Sequence, residues 1–296
     1  MFDGFERASA VLDQVSIHYR SSWSGAPTKP GLLLLHGHPQ THAIWHRVAA
    51  PLAQRFDVVC ADLRGYGDSG KPAPQPGHGN YSKRAMAADM VQLMARLGFA
   101  EFCVVGHDRG GRVAHRLAAD HPQCVRRLAV LDVAPTLAMY EQTSMAFARA
   151  YYHWFFLIQP APLPETLIGA DPEFYLLQTL GGRHAGLAPF APEALDEYRR
   201  CIRLPETVRG ICEDYRASAT IDLEHDRADV AAGRRLAMPL LALWGVHGAV
   251  GQCFRPLQEW RRRADDVRGH ALPCGHYIAE EVPQLLLDEL LPFLEE

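Results

Sequence analysis

The residue best placed to do chemistry is Asp108, which stands between two glycines in the segment VVGHDRGGR. An apolar strand pattern ends at Gly106 and a helical pattern follows, so Asp108 falls at a strand-to-helix turn. Gly106 and Gly110 give the segment the small-x-nucleophile-x-small spacing of a nucleophile elbow, a strained turn that exposes one side chain at the top of a sheet. The spacing predicts that Asp108 is a nucleophile; an aspartate that caps a helix is the structural alternative.

Three further motifs accompany the elbow, and the candidates Asp108, Asp132 and His276 have the chain order nucleophile, acid, histidine that is expected of a triad built on it. HGHPQ, from His36, follows a strand pattern, and we expect the backbone N–H groups of His38 and Arg109 to form an oxyanion hole. His276 lies in PCGHY after the last strand pattern and is the predicted base. The segment WGVHGAVG offers no carboxylate, so Asp132, at the end of RLAVLDVAP, is the predicted acid, with a turn or cap aspartate as the alternative.

An aspartate at the elbow changes the chemistry that a serine would support. A carboxylate is poorly suited to attack a carbonyl carbon, but it can displace a leaving group from an sp³ carbon and form an alkyl ester on the enzyme. His276 would then activate the water that cleaves this ester, and Asp132 would hold the imidazole tautomer. The expected reaction is therefore dehalogenation or epoxide opening.

Two arginines beside the nucleophile indicate an anionic substrate. Arg109 adjoins Asp108, and Arg112 lies one helical turn beyond it on the same face. Cations at a helix N-terminus oppose the helix dipole, whereas a guanidinium matches a carboxylate bidentately. We expect the pair to bind a substrate carboxylate; the structural alternative is that both pair with Asp108 or reach solvent.

The elements that position these residues alternate between strand and helix in the first half of the chain. Continuous apolar runs predict strands buried on both faces of a parallel sheet, with helical patterns at 82–97 and 111–120, so the fold class is α/β. The strand patterns are GLLLLHG from Gly31, FDVVCADLRGYG from Phe56, FCVVGHDRGG from Phe102, RLAVLDVAP from Arg127 and MPLLALWG from Met238, with a last strand ending near Leu272 and a closing helix from Glu281. Aromatic, proline-punctuated helical patterns predict a cap at 136–220 inserted into a core of 1–135 and 221–296.

Composition narrows the class of protein further. With 296 residues and a net charge of −4, the chain can bury a large core and gives no reason to expect nucleic acid as a partner. The seven cysteines are scattered without CxxC spacing, and no phosphate loop or metal-ligand cluster stands out, so we expect no cofactor and no metal. We also expect a cytoplasmic protein with no signal peptide and no membrane segment.

From about Leu33 to the C-terminus, the sequence resembles the fluoroacetate dehalogenase family of the α/β hydrolases. The motifs that carry the resemblance are HGHPQTHAIWHRVA, ADLRGYGDS, YSKRAMAADM, GHDRGGRVAHRLA, LAVLDVAPT, YHWFFLIQPAPLPE, CEDYRA and GHYIAEE. The resemblance implies a mostly parallel eight-stranded sheet flanked by helices with an inserted helical cap. It also implies a homodimer that hydrolyses small haloacids with water as the second substrate.

Roles for individual residues follow from the same resemblance. It implies a triad of Asp108, Asp132 and His276, with Arg109 and Arg112 on the substrate carboxylate. The implied halide pocket consists of His153, Trp154 and Tyr215. Imidazole N–H, indole N–H and phenol O–H groups are suitable donors to fluoride. Without the resemblance, YYHWFF is more typical of a packed aromatic helix face, and Tyr215 of an ordinary residue of the cap.

Two departures from the family leave the preferred halide open. His38 stands where an apolar residue is more usual, and it places a titratable imidazole near the predicted pocket. The cap segment LGGRHAGLAPF, from Leu180, lacks a tryptophan that some relatives have.

Two other functions remain compatible with the sequence. An epoxide hydrolase also begins with aspartate attack and protonates the epoxide oxygen with cap tyrosines, for which the candidates are Tyr151, Tyr152, Tyr175, Tyr198 and Tyr215. Such an enzyme gives no use for paired arginines beside the nucleophile. A catalytically silent hydrolase-fold binding protein is the third hypothesis, and the intact nucleophile, acid and histidine disfavour it.

Overall fold

One eight-stranded sheet forms the centre of the protein, for which a computed structural model describes residues 1–296. Its strands are β1 (Glu6–Val11), β2 (Ser16–Ser21), β3 (Gly31–Leu35), β4 (Asp57–Ala61), β5 (Phe102–His107), β6 (Val125–Leu131), β7 (Leu240–Gly245) and β8 (Val267–Leu272). They lie in the order β1-β2-β4-β3-β5-β6-β7-β8. Only the pairs β1–β2 and β2–β4 are antiparallel, so six neighbouring strands point their carboxyl ends toward one edge.

The central strands are buried on both faces, as their continuous apolar runs predict. Every residue of β3, β4 and β5 is buried. Side chains alternate along a strand, so Leu33 and Leu35 of β3 contribute to one hydrophobic cluster and Leu32 and Leu34 to a second one. The two clusters fix the sheet between two layers, which makes its carboxyl edge a rigid platform.

Helices cover the sheet and fill the long connection between β6 and β7. Before β6 lie α1 (Ala49–Leu52), α2 (Lys83–Arg96) and α3 (Arg109–Asp120). The β6–β7 connection contains α4 (Thr136–Glu141), α5 (Met145–Ala150), α6 (Tyr152–Phe156), α7 (Leu163–Ala170), α8 (Pro172–Gly181), α9 (Pro192–Ile202), α10 (Pro205–Ala219) and α11 (Ile221–Ala231). After β7 come α12 (Ala249–Cys253), α13 (Pro256–Arg261), α14 (Ile278–Glu281) and α15 (Pro283–Glu295). None of the helices combines the length and the apolar character needed to span a bilayer.

The predicted α/β fold with an eight-stranded, mostly parallel sheet is confirmed. The six strands read from the sequence are β3 to β8, and the last ends at Leu272 as expected. β1 and β2 were not predicted from the sequence. β1 gives no apolar run because it is an edge strand whose residues are exposed or half-buried. Helices follow one another from Thr136 to Ala231, so the helical run passes the predicted cap limit at residue 220. The division into core and cap domains stays a prediction.

Candidate active site

Asp108 follows β5 in the strained turn that the glycine spacing predicts. Its φ of 47° and ψ of −112° lie in a region that non-glycine residues rarely adopt. A Cβ on Gly106 would collide with the backbone of Gly110, and a Cβ on Gly110 would collide with the carbonyl oxygen of Leu35. A Cβ on Gly37 would lie 2.5 Å from the Cβ of Asp108. Small residues at these positions therefore let two backbone segments close around the aspartate.

The Asp108 carboxylate is buried but belongs to no ion pair. It accepts a hydrogen bond of 3.0 Å at Oδ2 from the backbone N–H of His38, and it makes no cap hydrogen bond to α3. Burial by itself raises the pKa of Asp108. The electrostatic influence of the neighbouring His276, His107, Arg112 and Arg109 side chains outweighs burial and holds this pKa below its ordinary value. Asp108 is thus an ionised, unpaired carboxylate rather than a structural cap.

His276 and Asp132 meet at the carboxyl edge of the sheet, where they follow β8 and β6. His276 Nδ1 lies 2.6 Å from Asp132 Oδ2, and Asp132 Oδ1 accepts a hydrogen bond of 3.0 Å from the N–H of Gly245. This second bond fixes the carboxylate at the end of β6, where Asp132 has a φ of 48°. The Tyr151 hydroxyl also lies 3.3 Å from Nδ1. Since both contacts use Nδ1, they orient the ring and leave Nε2 free to accept a proton.

Arg109 is held by an aspartate that sequence reasoning did not single out. Its Nε and Nη2 each lie 2.8 Å from one carboxylate oxygen of Asp214 on α10, and Nη2 also donates to the Ser218 hydroxyl at 2.6 Å. Burial opposes the charge of Arg109, but Asp214 raises its pKa well above the ordinary value. Arg109 neither pairs with Asp108 nor reaches solvent, so the alternative considered from the sequence does not apply to it.

Arg112 carries a buried charge without any carboxylate partner. Its Nη1 donates to the Ala134 carbonyl at 3.1 Å and to the Thr136 hydroxyl at 2.9 Å. Burial and the neighbouring Arg109 lower the pKa of Arg112. A guanidinium that only neutral groups solvate is costly to bury, and an anionic ligand would relieve that cost.

Five side chains in this part of the protein have a buried donor without a hydrogen-bond partner. The atoms are Arg109 Nη1, Arg112 Nε, Trp154 Nε1, Tyr215 Oη and Tyr140 Oη, and the Tyr140 ring packs against Trp154 at 4.9 Å. The Arg109 guanidinium lies 4.0 Å above the Tyr215 ring and that of Arg112 lies 4.5 Å above the Trp154 ring, so the donors belong to one cluster. Because native proteins leave few buried donors unsatisfied, such a cluster indicates a binding site.

His153 and His38 lie in the same cluster as neutral imidazoles. Their rings stack at 5.8 Å, and each also packs against the Tyr215 ring. Burial lowers the pKa of His38 to about 3 and the pKa of His153 well below its ordinary value. The imidazole of His38, which Tyr175 contacts at 3.0 Å, therefore does not titrate near neutral pH.

A cavity of about 510 Å³ connects this region with the protein surface. It is lined at its inner end by His153 and His276 and farther out by residues of α5, α8 and α12 and of the turn after α8. The triad histidine is therefore accessible from one side, between the helices of the β6–β7 connection and the core.

One group has the donor set of a metal site. Ligand atoms of His18, His42 and Asp62 all lie within 4.8 Å of one another. However, His42 Nδ1 already lies 2.9 Å from Asp62, and the Arg20 side chain approaches His42 Nε2 at 3.4 Å. An arginine beside the ligand atoms disfavours a second cation, so the geometry fits a hydrogen-bonded group better than a metal site.

The structure brings together every residue named from the sequence: the triad, the two arginines, the three halide-pocket residues and the His38 N–H. The residue missed from the sequence is Asp214, and the contact of Tyr151 with His276 was also not predicted. Asp214 precedes Tyr215 in the motif CEDYRA, and a charged residue in such a motif was the only available signal. Its pairing with Arg109 spans 105 residues, so no local pattern could identify it.

An elbow aspartate, a histidine–aspartate pair and this sheet order define an α/β hydrolase, and the model of the alpha/beta hydrolase fold family matches residues 30–278. A fluoroacetate dehalogenase from Burkholderia sp is 47% identical, with 100% of this chain and 96% of the relative covered. The chain therefore belongs to the fluoroacetate dehalogenase family of the α/β hydrolases, as the sequence motifs predict.

One further relative is an epoxide hydrolase, and a solved structure of an α/β hydrolase also matches the chain. A soluble epoxide hydrolase from Corynebacterium sp. (strain C12) is 35% identical over 96% of this chain and 95% of its own length. A solved structure from Nostoc sp PCC 7120, provisionally assigned as an alpha/beta hydrolase, superposes with a TM-score of 0.96. It shares 52% identity and covers 99% of both chains.

Proposed function

We propose that this enzyme is a hydrolytic dehalogenase that converts small 2-haloacids, such as fluoroacetate or chloroacetate, into glycolate and halide. The observation that carries the proposal is the ionised, unpaired Asp108 carboxylate next to buried, unpartnered N–H groups of Arg109 and Arg112. An anionic substrate would satisfy both donors and neutralise the otherwise uncompensated charge of Arg112. The 47% identical fluoroacetate dehalogenase supports the same substrate class.

In the first step, an oxygen of Asp108 attacks the saturated C2 carbon of the haloacid. A C–O bond forms as the carbon–halogen bond breaks, the halide leaves with the bonding electrons, and Asp108 becomes a carboxymethyl ester. Arg109 and Arg112 hold the carboxylate so that C2 faces the attacking oxygen. Holding the reactants in this orientation is itself a large part of the rate enhancement.

In the second step, water hydrolyses the ester. His276 Nε2 takes a proton from the water, and Asp132 stabilises the imidazolium through Nδ1. The hydroxide attacks the carboxyl carbon of Asp108, not C2 of the substrate. The backbone N–H groups of His38 and Arg109 stabilise the resulting oxyanion, and its collapse releases glycolate and restores Asp108.

The leaving halide needs donors that are not already engaged. Trp154 Nε1 and Tyr215 Oη are unpartnered, and the neutral His153 imidazole adds a third donor. Hydrogen bonds to a charged acceptor contribute about 1.5 to 3 kcal/mol each. Fluoride, a poor leaving group and a strong acceptor, gains most from these three bonds.

Tyr215→Phe is expected to lower kcat/KM for fluoroacetate about 10- to 100-fold and to change that for bromoacetate much less, since bromide leaves readily without strong donors. The ratio of fluoride to bromide release measures the effect. Unfolding stability should be unchanged or higher, because the hydroxyl has no partner in the folded protein. Tyr66→Phe is the matched control for stability. Its hydroxyl donates to Asp214 at 2.7 Å, so removing it should lower the free energy of unfolding. A parallel loss for both halides in Tyr215→Phe would contradict a halide role.

Arg112→Leu is expected to reduce kcat/KM for haloacetates by at least about 100-fold and to affect a neutral haloalkane or ester far less. Only the haloacetate has a carboxylate to pair with Arg112, so only its binding and turnover lose a buried charge-assisted hydrogen bond. Leaving this anion unpaired in a buried site costs several kcal/mol. Halide or alcohol release from the matched substrates provides the comparison. Equal losses on acid and neutral substrates would show that Arg112 has a structural role.

The proposed function is tested by halide release from fluoroacetate, chloroacetate and a longer 2-haloacid with the wild type and Asp108→Ala. We expect release from at least one acid by the wild type only. Under single turnover in H₂¹⁸O, the first glycolate should carry unlabelled oxygen from Asp108, and the label should enter the enzyme. Glycolate labelled in the first turnover would instead indicate direct attack by water.

An epoxide hydrolase is the second candidate, supported by the 35% identical relative and by tyrosine hydroxyls near the pocket. Tyr215 Oη has no partner and Tyr175 contacts His38, so either could be oriented toward an epoxide oxygen. This function leaves the charge of Arg112 without an anion. Turnover of an epoxide with no halide release from any acid would favour it over dehalogenation.

We propose further that the protein acts in the cytoplasm as a homodimer, on the basis of the family resemblance. Sedimentation of the purified protein tests the oligomeric state.

A further inference from the structure

The entrance cavity that reaches His276 has cationic side chains and no acidic ones. Arg149 and Arg183 line it, together with His184 and His247, whose rings stack at 3.9 Å. No aspartate or glutamate is among its lining residues. The protein has a net charge of −4, so this entrance differs in sign from the molecule as a whole.

Among these cations, Arg183 is linked to the triad through Tyr151. Its guanidinium lies 4.6 Å above the Tyr151 ring, and the Tyr151 hydroxyl lies 3.3 Å from His276 Nδ1. One aromatic side chain therefore separates the guanidinium from the triad. The stacking also limits the orientations available to a side chain that follows the end of α8 in a turn.

The two entrance arginines form no ion pair, unlike the arginines on and just beyond α9. On α9, Arg199 and Arg200 pair with carboxylates, and Arg203 just beyond it pairs with Glu173 at 2.5 Å. Arg149 and Arg183 have no carboxylate within ion-pair distance. Their charges are therefore not neutralised by an ion pair and are available to a ligand, and salt weakens their effect.

We propose that Arg183 is a specificity-determining residue that attracts the anionic substrate into the entrance before Arg109 and Arg112 bind its carboxylate. A cleft lined by charge of one sign with low-dielectric walls concentrates counter-ions and raises association rates. The effect acts on anionic substrates and is weakened by salt. This inference rests on the proposed action on 2-haloacids and deepens it.

Arg183→Gln is expected to lower kcat/KM for chloroacetate about 3- to 10-fold at about 10 mM salt and to leave kcat nearly unchanged. The loss should shrink toward zero at about 0.5 M salt, where the screening length falls to a few ångströms. Chloroacetamide, the neutral isostere, should show no loss at either salt concentration once release by Asp108→Ala is subtracted.

Two further variants separate charge from structure. Arg183→Lys keeps the charge and should retain most of the wild-type kcat/KM. Arg268→Gln removes one positive charge near the start of β8, at the opposite edge of the sheet, and should leave the chloroacetate kinetics unchanged. If Arg183→Gln folds poorly, Arg149→Gln is expected to show a smaller loss with the same salt dependence.

The outcomes distinguish this inference from the proposed function. A wild type that releases no halide from any acid removes the proposed function and this inference with it. If the wild type acts on chloroacetate and Arg183→Gln has the same kcat/KM at low salt, only the role of Arg183 is overturned. Equal losses for acid and amide, independent of salt, overturn it as well, because they indicate a structural effect.

Discussion

His276→Asn is expected to accumulate a covalent carboxymethyl adduct on Asp108 when incubated with chloroacetate or fluoroacetate. Alkylation needs only the ionised carboxylate and a positioned substrate, whereas ester hydrolysis needs the base on His276 Nε2. Asparagine keeps a polar side chain next to Asp132 but cannot accept the proton. Steady-state turnover should fall about 10²- to 10⁴-fold, the range typical of general base catalysis.

Intact mass and peptide mapping provide the measurement for this variant. His184→Asn, in the entrance, is the control and should turn over substrate without retaining an adduct. Absence of an adduct from either acid, together with epoxide turnover by the wild type, would remove the dehalogenase proposal. An adduct that maps to a cysteine rather than to Asp108 would contradict the assignment of the nucleophile.

Asp214→Asn is expected to destabilise the protein by about 3 to 5 kcal/mol, because it leaves buried cations without their partner. Asp214 pairs bidentately with Arg109 and also pairs with Lys83, and all three side chains are buried. Burial alone raises the pKa of Asp214, but the two cations outweigh it and hold the pKa below its ordinary value. The stabilisation is thus present above the unfolded-state pKa of about 3.9 and is lost as pH falls below it.

Urea unfolding at neutral pH measures the cost of Asp214→Asn. The double variant Lys83→Met with Asp214→Asn keeps Arg109 and Asp222 as the remaining charges of the group. Its loss in free energy of unfolding should be smaller than the sum of the losses of the two single variants. Asp68→Asn is the control, since its pairs with Arg7 and Arg200 are solvent-exposed and should contribute less than about 1 kcal/mol. Strictly additive costs in the double variant would show that the buried charges do not act as one network.

The same substitution should also affect catalysis, because Asp214 positions Arg109. With a neutral residue at 214, Arg109 is free to pair with Asp108 and to lower its nucleophilicity. We expect kcat/KM for haloacetates to fall even under conditions where the variant is fully folded. An unchanged kcat/KM in the folded variant would show that Asp214 serves stability alone.

Much of the site was determined by short stretches of sequence. The elbow at Asp108 is marked by the spacing of Gly106 and Gly110, which is visible in the sequence. The contact that requires a glycine at 106 is local, whereas the one at 110 is with the backbone of Leu35 on β3. The strands β3, β4 and β5 are buried on both faces, and their continuous apolar runs are therefore visible without a structure. The edge strand β1 was not predicted, because its exposed and half-buried residues form no continuous apolar run.

By itself, the sequence determined the fold class, the strand-to-helix turn and the chain order of nucleophile, acid and base, because these depend on local backbone sterics and on which strands are buried. Only the tertiary structure decided which charges are neutralised. Asp132 and His276 meet across 144 residues, Arg109 finds Asp214 across 105, and Arg183 stays unpaired. Burial and charge pairing depend on neighbours that are distant in the chain. These neighbours determine that Asp108 is ionised and that donors remain free for a substrate.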